Sequence, residues 1–321
     1  MTIKWIAVIA AIAGVTVSVV VIVFSLYTEP PVSPPPSEVE SIRLDEFGIR
    51  ELYESATTGG RSWISTWHNG VARTFGNYEN DPSDPLFITS KNGGGMGDGF
   101  YRTEGDGILK ISGFAPRMYV YNRQQDWRNV EITLYAQRVA DTNIDWAGIQ
   151  AYARTNHGAI GDEEANACDT RGYGAQLTYP GQFLFEKETN HHNSNGYAQV
   201  EQKTIWSSGM PKNTWIGYKF IVRDLRNGNV KLEAYIDTTN GLNGGTWTKI
   251  AEFVDDGTNF GVNSSSCAPG VSAGLPLTAS NDRPGSETGR PNVAVYFRSD
   301  GVGNDGLLYK WASIREIEPA M

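Results

Sequence analysis

Histidine is scarce in this chain, with four in 321 residues, and two of them stand side by side in "FLFEKETNHHNSNGYAQ". That stretch also carries Glu186, Lys187, Glu188 and Tyr197. With Gln150, Arg154 and His157 in "GIQAYARTNH", His191, His192, Lys187 and Tyr197 supply the groups needed to abstract a proton α to a sugar carboxylate. A histidine or tyrosine serves as base, and a cation or amide neutralises the carboxylate. Glu186 and Glu188 share one face of a strand, and glycoside hydrolysis uses paired carboxylates. A third set has the character of a binding surface: Tyr135, Gln137, Gln150, Tyr152, Arg154, Gln176 and Thr178. Tyrosine rings stack on sugar faces, while amides and a guanidinium bond hydroxyls or carboxylates.

Two further groups concern metal and redox chemistry. "SDGVGNDG" places Asp300, Asn304 and Asp305 in a glycine-rich loop, offering the hard oxygen ligands that Ca²⁺ takes, although the spacing is not that of an EF-hand. Such loops are also ordinary turns. Cys168 and Cys267 lie in polar Gly/Ser/Asn-rich surroundings, and in an exported domain they read as one disulfide. No CxxC or Cys/His spacing points to zinc. "NSS" at Asn263 is a glycosylation sequon.

The elements that must position these residues are strands. Val130, Ile132, Leu134 and Ala136 alternate with Glu131, Thr133, Tyr135 and Gln137. Ile216, Tyr218, Phe220 and Val222 alternate with Gly217, Lys219, Ile221 and Arg223, and Val230, Leu232, Ala234 and Ile236 with Lys231, Glu233, Tyr235 and Asp237. This period of two marks half-buried antiparallel strands. Asn227-Gly228 predicts a hairpin, and Pro180-Gly181 a type II turn. "LDEFGIRELYESA" fits either a helix or an opening strand. With 36 glycines, 9 Trp and 15 Tyr, the composition favours an all-β domain, a two-sheet antiparallel jelly-roll sandwich over residues 42–321.

Ahead of it, Trp5 to Tyr27 holds no charge and, at about 1.5 Å per residue, matches a ~30 Å hydrocarbon core. Lys4 precedes it and Glu29, Glu38 and Glu40 follow, which puts the amino terminus inside and the domain outside the cell. The length favours an uncleaved single-pass anchor over a cleaved signal peptide. Residues 28–41, "TEPPVSPPPSEVES", form a proline-rich spacer. Net charge is -9 with no basic run, which argues against nucleic acid as a partner.

The order "GDGILKISGFAPRMYVY", "DWRNVEITLYAQ", "GYGAQLTYPGQFLFEKE", "NTWIGYKFIVRDLRNGNVKLEAYID", "TWTKIAEFVDDG" and "LLYKWASIREIE" resembles the concanavalin A-like lectin/glucanase superfamily over roughly Phe47 to Glu318. The resemblance implies a last strand beside the first, a concave sheet that carries carbohydrate, and a polysaccharide or cell-surface glycan as partner. It does not separate binding from cleavage. "FEKETNHHNSNGYAQ" only loosely echoes the Tyr-Phe-Lys-Ala-Gly-x-Tyr-x-Gln strand of lyases with this fold, and "IQAYARTNH" lacks their Gln-x-His spacing. The glucanase run Glu-x-Asp-x-x-Glu is absent. Carbohydrate binding without chemistry therefore leads, followed by β-elimination, then hydrolysis or adhesion without sugar.

Overall fold

The structure, a computed structural model, describes residues 42–57, 60–76, 79–84, 86–89, 99–121, 127–155, 170–190, 197–260, 274–279 and 294–320. The apolar stretch at residues 5–27 and the proline-rich spacer lie outside the described residues, as do His157, His191, His192, Cys168, Cys267 and Asn263. Among the described residues no helix is long and apolar enough to cross a membrane.

Two antiparallel sheets face each other. The first holds β1 (Ser62–Ile64), β2 (Arg73–Gly76), β4 (Phe100–Thr103), β5 (Leu109–Gly113), β7 (Val130–Arg138), β13 (Trp215–Asp224), β14 (Val230–Asp237), β15 (Thr248–Asp255) and β17 (Gly303–Glu316). Its order is β15-β14-β13-β7-β17-β5-β4-β2, with β1 pairing β17. The second holds β3 (Phe87–Thr89), β6 (Arg117–Tyr121), β8 (Gly148–Thr155), β9 (Gly172–Thr178), β10 (Gln182–Glu188), β11 (Tyr197–Gln199), β12 (Lys203–Thr204) and β16 (Ala294–Ser299). Its order is β11-β10-β9-β8-β16-β6-β3, with β12 pairing β10. This is the all-β sandwich that the alternation predicts. The last strand returns beside the first, with Trp63 opposite Ile314.

The core forms where the inward rows of both sheets meet. Val130, Ile132, Leu134 and Ala136 of β7 join Tyr218, Phe220 and Val222 of β13 from one side, and Ile149, Ala151, Phe183 and Phe185 from the other. The Asn227-Gly228 turn closes β13 onto β14, with Gly228 at φ 84 and its amide donating to Leu225 O at 3.1 Å. The β9–β10 turn differs in detail from the expected type II turn. Its hydrogen bond runs from Gly181 N to Thr178 O, so Gly181 stands at the last position, at φ 93, rather than at the third.

"LDEFGIRELYESA" is neither helix nor regular strand. It folds back through isolated bridges, Leu44 with Arg50 and Ser55 with Ile317. Side chains of the first sheet fix it in place: Glu131 accepts the amides of Leu52 and Tyr53, and Glu233 accepts the Tyr53 hydroxyl at 2.7 Å. These tertiary partners outweigh its local helical pattern.

Candidate functional site

The outward rows of β8, β9, β10 and β16 are largely polar or aromatic, and the ladder aligns them with residues of β11 and β6 into two lines. In the first, Gln199, Glu186, Gly174, Tyr152, Tyr296 and Tyr119 are successive register partners across β11, β10, β9, β8, β16 and β6. In the second, Leu184, Gln176, Gln150, Arg298 and Arg117 follow one another in the same way. Tyr197 stands opposite Glu188 one step further along. Side chains on adjacent strands lie about 4.8 Å apart, so each line is a continuous strip of neighbours.

The strip is hydrogen-bonded and tightly packed. Gln150 Nε2 donates to Glu186 Oε1 at 2.6 Å and to the Tyr152 hydroxyl at 3.1 Å, and Gln199 Nε2 reaches Glu186 Oε2 at 3.3 Å. The Tyr152 and Tyr296 rings stack at 4.4 Å with 5° between planes, and Tyr119 packs against Tyr296 at 4.9 Å. Gly174 makes room for the crossing: a Cβ there would stand 2.8 Å from both Glu186 Cγ and the Tyr152 ring. Glu186 is only 5% exposed. Burial raises its pKa to about 7, with the Glu188 charge adding to the rise and Arg298 opposing it.

Several residues singled out from the sequence meet here and others do not. Gln150, Tyr152 and Gln176 share this face with Glu186 and Glu188. Tyr135 and Gln137 belong to the other sheet, on β7. Tyr135 is buried there, donates to Asp237 Oδ2 at 2.8 Å and meets Trp247 and Trp311 edge-on. Strict alternation would set Arg154 beside Gln150 and Tyr152. Instead the register between β8 and β16 slips at this point, and Arg154 takes φ 54. Its guanidinium turns to Asp224 Oδ1 at 2.5 Å, Leu277 O at 2.6 Å and Asn129 Oδ1 at 3.0 Å, a buried structural clamp.

Lys187 also departs from the expected role. It points inward, is 0% exposed, and binds Asp255 Oδ2 at 2.7 Å, an oxygen that also accepts the Tyr173 hydroxyl. Burial lowers its pKa, and Asp255 works against that shift. A lysine so placed cannot neutralise a carboxylate on the outer face.

The acids expected to hold Ca²⁺ are engaged by arginines. Arg298 Nε donates to Asp300 at 3.1 Å and Arg102 Nη2 to Asp305 at 2.7 Å, while Asn304 is exposed between them. Among the described residues no group of three or more His, Cys, Asp or Glu is arranged to hold a metal.

A pocket of about 300 Å³ lies on the first sheet, lined by Asp45, Glu131, Lys219 and Arg315 among others. Its central charges satisfy one another, since Glu131 accepts both Lys219 Nζ and Arg315 Nη2 at 2.7 Å. It reads as the ionic seam that holds residues 42–57. The residues of these two lines that the sequence did not single out are Arg117, Tyr119, Tyr296, Arg298 and Gln199. "RMYVY" and "AVYFRS" carry the signal, because each alternates arginine and tyrosine on one face.

No protein-family model matches the chain, and no curated protein does. Solved structures are similar. The exoplasmic/lumenal domain of VIP36, bound to Ca²⁺ and Man3GlcNAc, is 10% identical with a TM-score of 0.40, over 81% of this chain and 92% of that one. An alginate lyase in complex with an alginate trisaccharide is 12% identical with a TM-score of 0.40, over 83% of this chain and 100% of that one. Lectin II from Ulex europaeus is 13% identical with a TM-score of 0.39, over 76% and 97%. The concanavalin A-like resemblance of the sequence agrees with the two-sheet antiparallel sandwich.

Proposed function

We propose that the outer face of the second sheet binds carbohydrate, and that the chain is a lectin-like domain. One observation carries this reading: the ladder sets a line of amide, carboxylate and tyrosine beside a line of two glutamines and two arginines. The members of these lines that reach solvent are Gln199 and Arg298, an amide and a guanidinium suited to sugar hydroxyls and carboxylates, while the Tyr119, Tyr152 and Tyr296 rings are fully buried and pack the strip from within. The glutamines hold Glu186 in a fixed orientation before any ligand arrives, which reduces the ordering cost of binding. The test is retention of the purified full chain on immobilised polysaccharides, both neutral and anionic, with mannan and alginate among them. Retention on one glycan, abolished by Gln199→Ala with Gln176→Ala, supports the reading, and retention on none overturns it.

A second reading rests on Glu186 and Glu188. They stand two residues apart on β10 and therefore on the same face of the strand, the side-by-side placement of two acids that glycoside hydrolysis draws on. Glu186, held protonated close to neutral pH, has the property of a general acid. Release of reducing ends, lost in Glu188→Gln, would select hydrolysis over binding alone. The β-elimination reading loses Lys187 to its buried pair with Asp255. It retains Tyr197, opposite Glu188, and the ultraviolet absorbance of an unsaturated product tests it. We also propose that residues 5–27 anchor the chain in a membrane, displaying the domain outside the cell.

A further inference from the structure

The glycan-facing strip ends at one edge where two large aromatic side chains stand exposed. Gly148 opposite Thr178, Ser299 opposite Ile149, and Arg298 opposite Arg117 show that β8 begins, β9 and β16 end and β6 begins at the same end of the second sheet. Trp146 lies two residues before β8 and is 59% exposed. Phe114 directly follows β5 of the first sheet, at the start of the short link to β6, and is 46% exposed. β16 runs between β8 and β6, so those two strands lie about 10 Å apart, and the link that starts at Phe114 crosses from the first sheet to reach β6 at this end.

Both loops are fixed to the site. Gln176 Nε2, from the second polar line, donates to Trp146 O at 2.7 Å. Gly301 N donates to Phe114 O at 2.5 Å, and Ser299 N to Pro116 O at 3.1 Å. Single exposed apolar residues are common on protein surfaces. Two aromatics on one rim, each on a loop held to the strands that carry Gln176 and Arg298, are a different arrangement.

We infer that Trp146 and Phe114 form a stacking rim for a glycan chain that enters the site from this end. This deepens the carbohydrate reading and rests on it. The rings would bind the C–H faces of sugars at this end, while Arg298 and Gln199, the members of the polar lines that reach solvent, take the polar groups of sugars further along. The ligand is then an oligosaccharide or polysaccharide rather than a monosaccharide, because one sugar cannot span the rim and the polar lines together.

The test measures affinities of the full chain for mannan- and alginate-derived oligosaccharides from the disaccharide to the hexasaccharide. For the probe that binds, Trp146→Ala and Phe114→Ala should each weaken hexasaccharide binding about tenfold and disaccharide binding much less. Trp146→Phe should keep most of the affinity. Thermal midpoints should stay at the wild-type value, because both rings are already about half exposed. Bound hexasaccharide should also protect Trp146 from oxidation by N-bromosuccinimide. If wild-type protein binds a probe and both alanine variants bind it equally well at every length, the rim inference is overturned. If wild-type protein binds none of these probes and is retained on none of the immobilised polysaccharides, the carbohydrate reading fails, and the rim with it.

Discussion

Gln150 and Glu186 are hydrogen-bonded at 2.6 Å although they stand on strands that are not neighbours, because β9 runs between them and contributes Gly174 at the crossing. The missing side chain is what lets amide and carboxylate meet. Gly174→Ala would drive a methyl group into Glu186 Cγ and the Tyr152 ring. The expected outcome is a loss of about 1–3 kcal/mol in stability, as for other overpacked sites, together with weakened glycan retention. Denaturant unfolding and affinity electrophoresis of the variant check both.

Glu186 ties the stability of the sandwich to pH. Its pKa rises from 4.5 to about 7 on folding, so the native state holds a proton that the unfolded chain gives up near its ordinary value. The stabilisation is fully present below about pH 4.5 and is lost as pH rises through 7. The shift corresponds to roughly 3 kcal/mol. Glu186→Gln keeps the shape without the ionisation. It should therefore match wild type near pH 4.5 and exceed it at pH 8, as measured by urea midpoints across that range. Equal stability of the two proteins at every pH would contradict this assignment.

Lys187 and Asp255 form a fully buried pair. Removing one charge leaves the other without its main counter-ion, so Lys187→Met should cost about 3–5 kcal/mol. The double variant Lys187→Met with Asp255→Leu should recover much of that loss. Glycan retention per folded molecule should stay unchanged in the double variant, since the pair faces the core. A specific loss of ligand binding with stability intact would show instead that the lysine reaches the outer face.

Glu233 holds residues 42–57 to the first sheet. Burial alone would raise its pKa, yet Lys249 and the Tyr53 hydroxyl donate to it and Lys231 lies near, and it falls from 4.5 to about 2. That contribution is present above about pH 4.5 and is lost as pH falls toward 2. Glu233→Gln should flatten the acid limb of the stability profile. Proteolysis near Tyr53 should rise in that variant at neutral pH. An unchanged acid limb would rule Glu233 out as the clasp.

Much of the scaffold was legible in the sequence, because a period of two over β7, β13 and β14 has only one physical meaning when one face is apolar. The site was only half legible. Gln150, Tyr152 and Gln176 follow the alternation and fall where it puts them. Arg154 follows it on paper but lies beyond a register slip, and no local residue pattern announced that slip. Tyr135 and Gln137 alternate just as regularly, yet alternation does not say which sheet a strand joins. Lys187 shares its face with Phe183 and Phe185, so its inward direction was written in the strand. What was hidden was Asp255, a partner 68 residues away that makes the burial tolerable. The arginines and tyrosines of β6 and β16 become neighbours only through the strand order.

The most direct measurement is the affinity of the full chain for whichever polysaccharide retains it, compared between Gln199→Ala on the second sheet and Gln137→Ala on the first. A drop of about tenfold or more is expected for Gln199→Ala and wild-type affinity for Gln137→Ala. The reverse pattern, with Gln137 needed and Gln199 dispensable, would place the ligand on the other sheet and contradict the account.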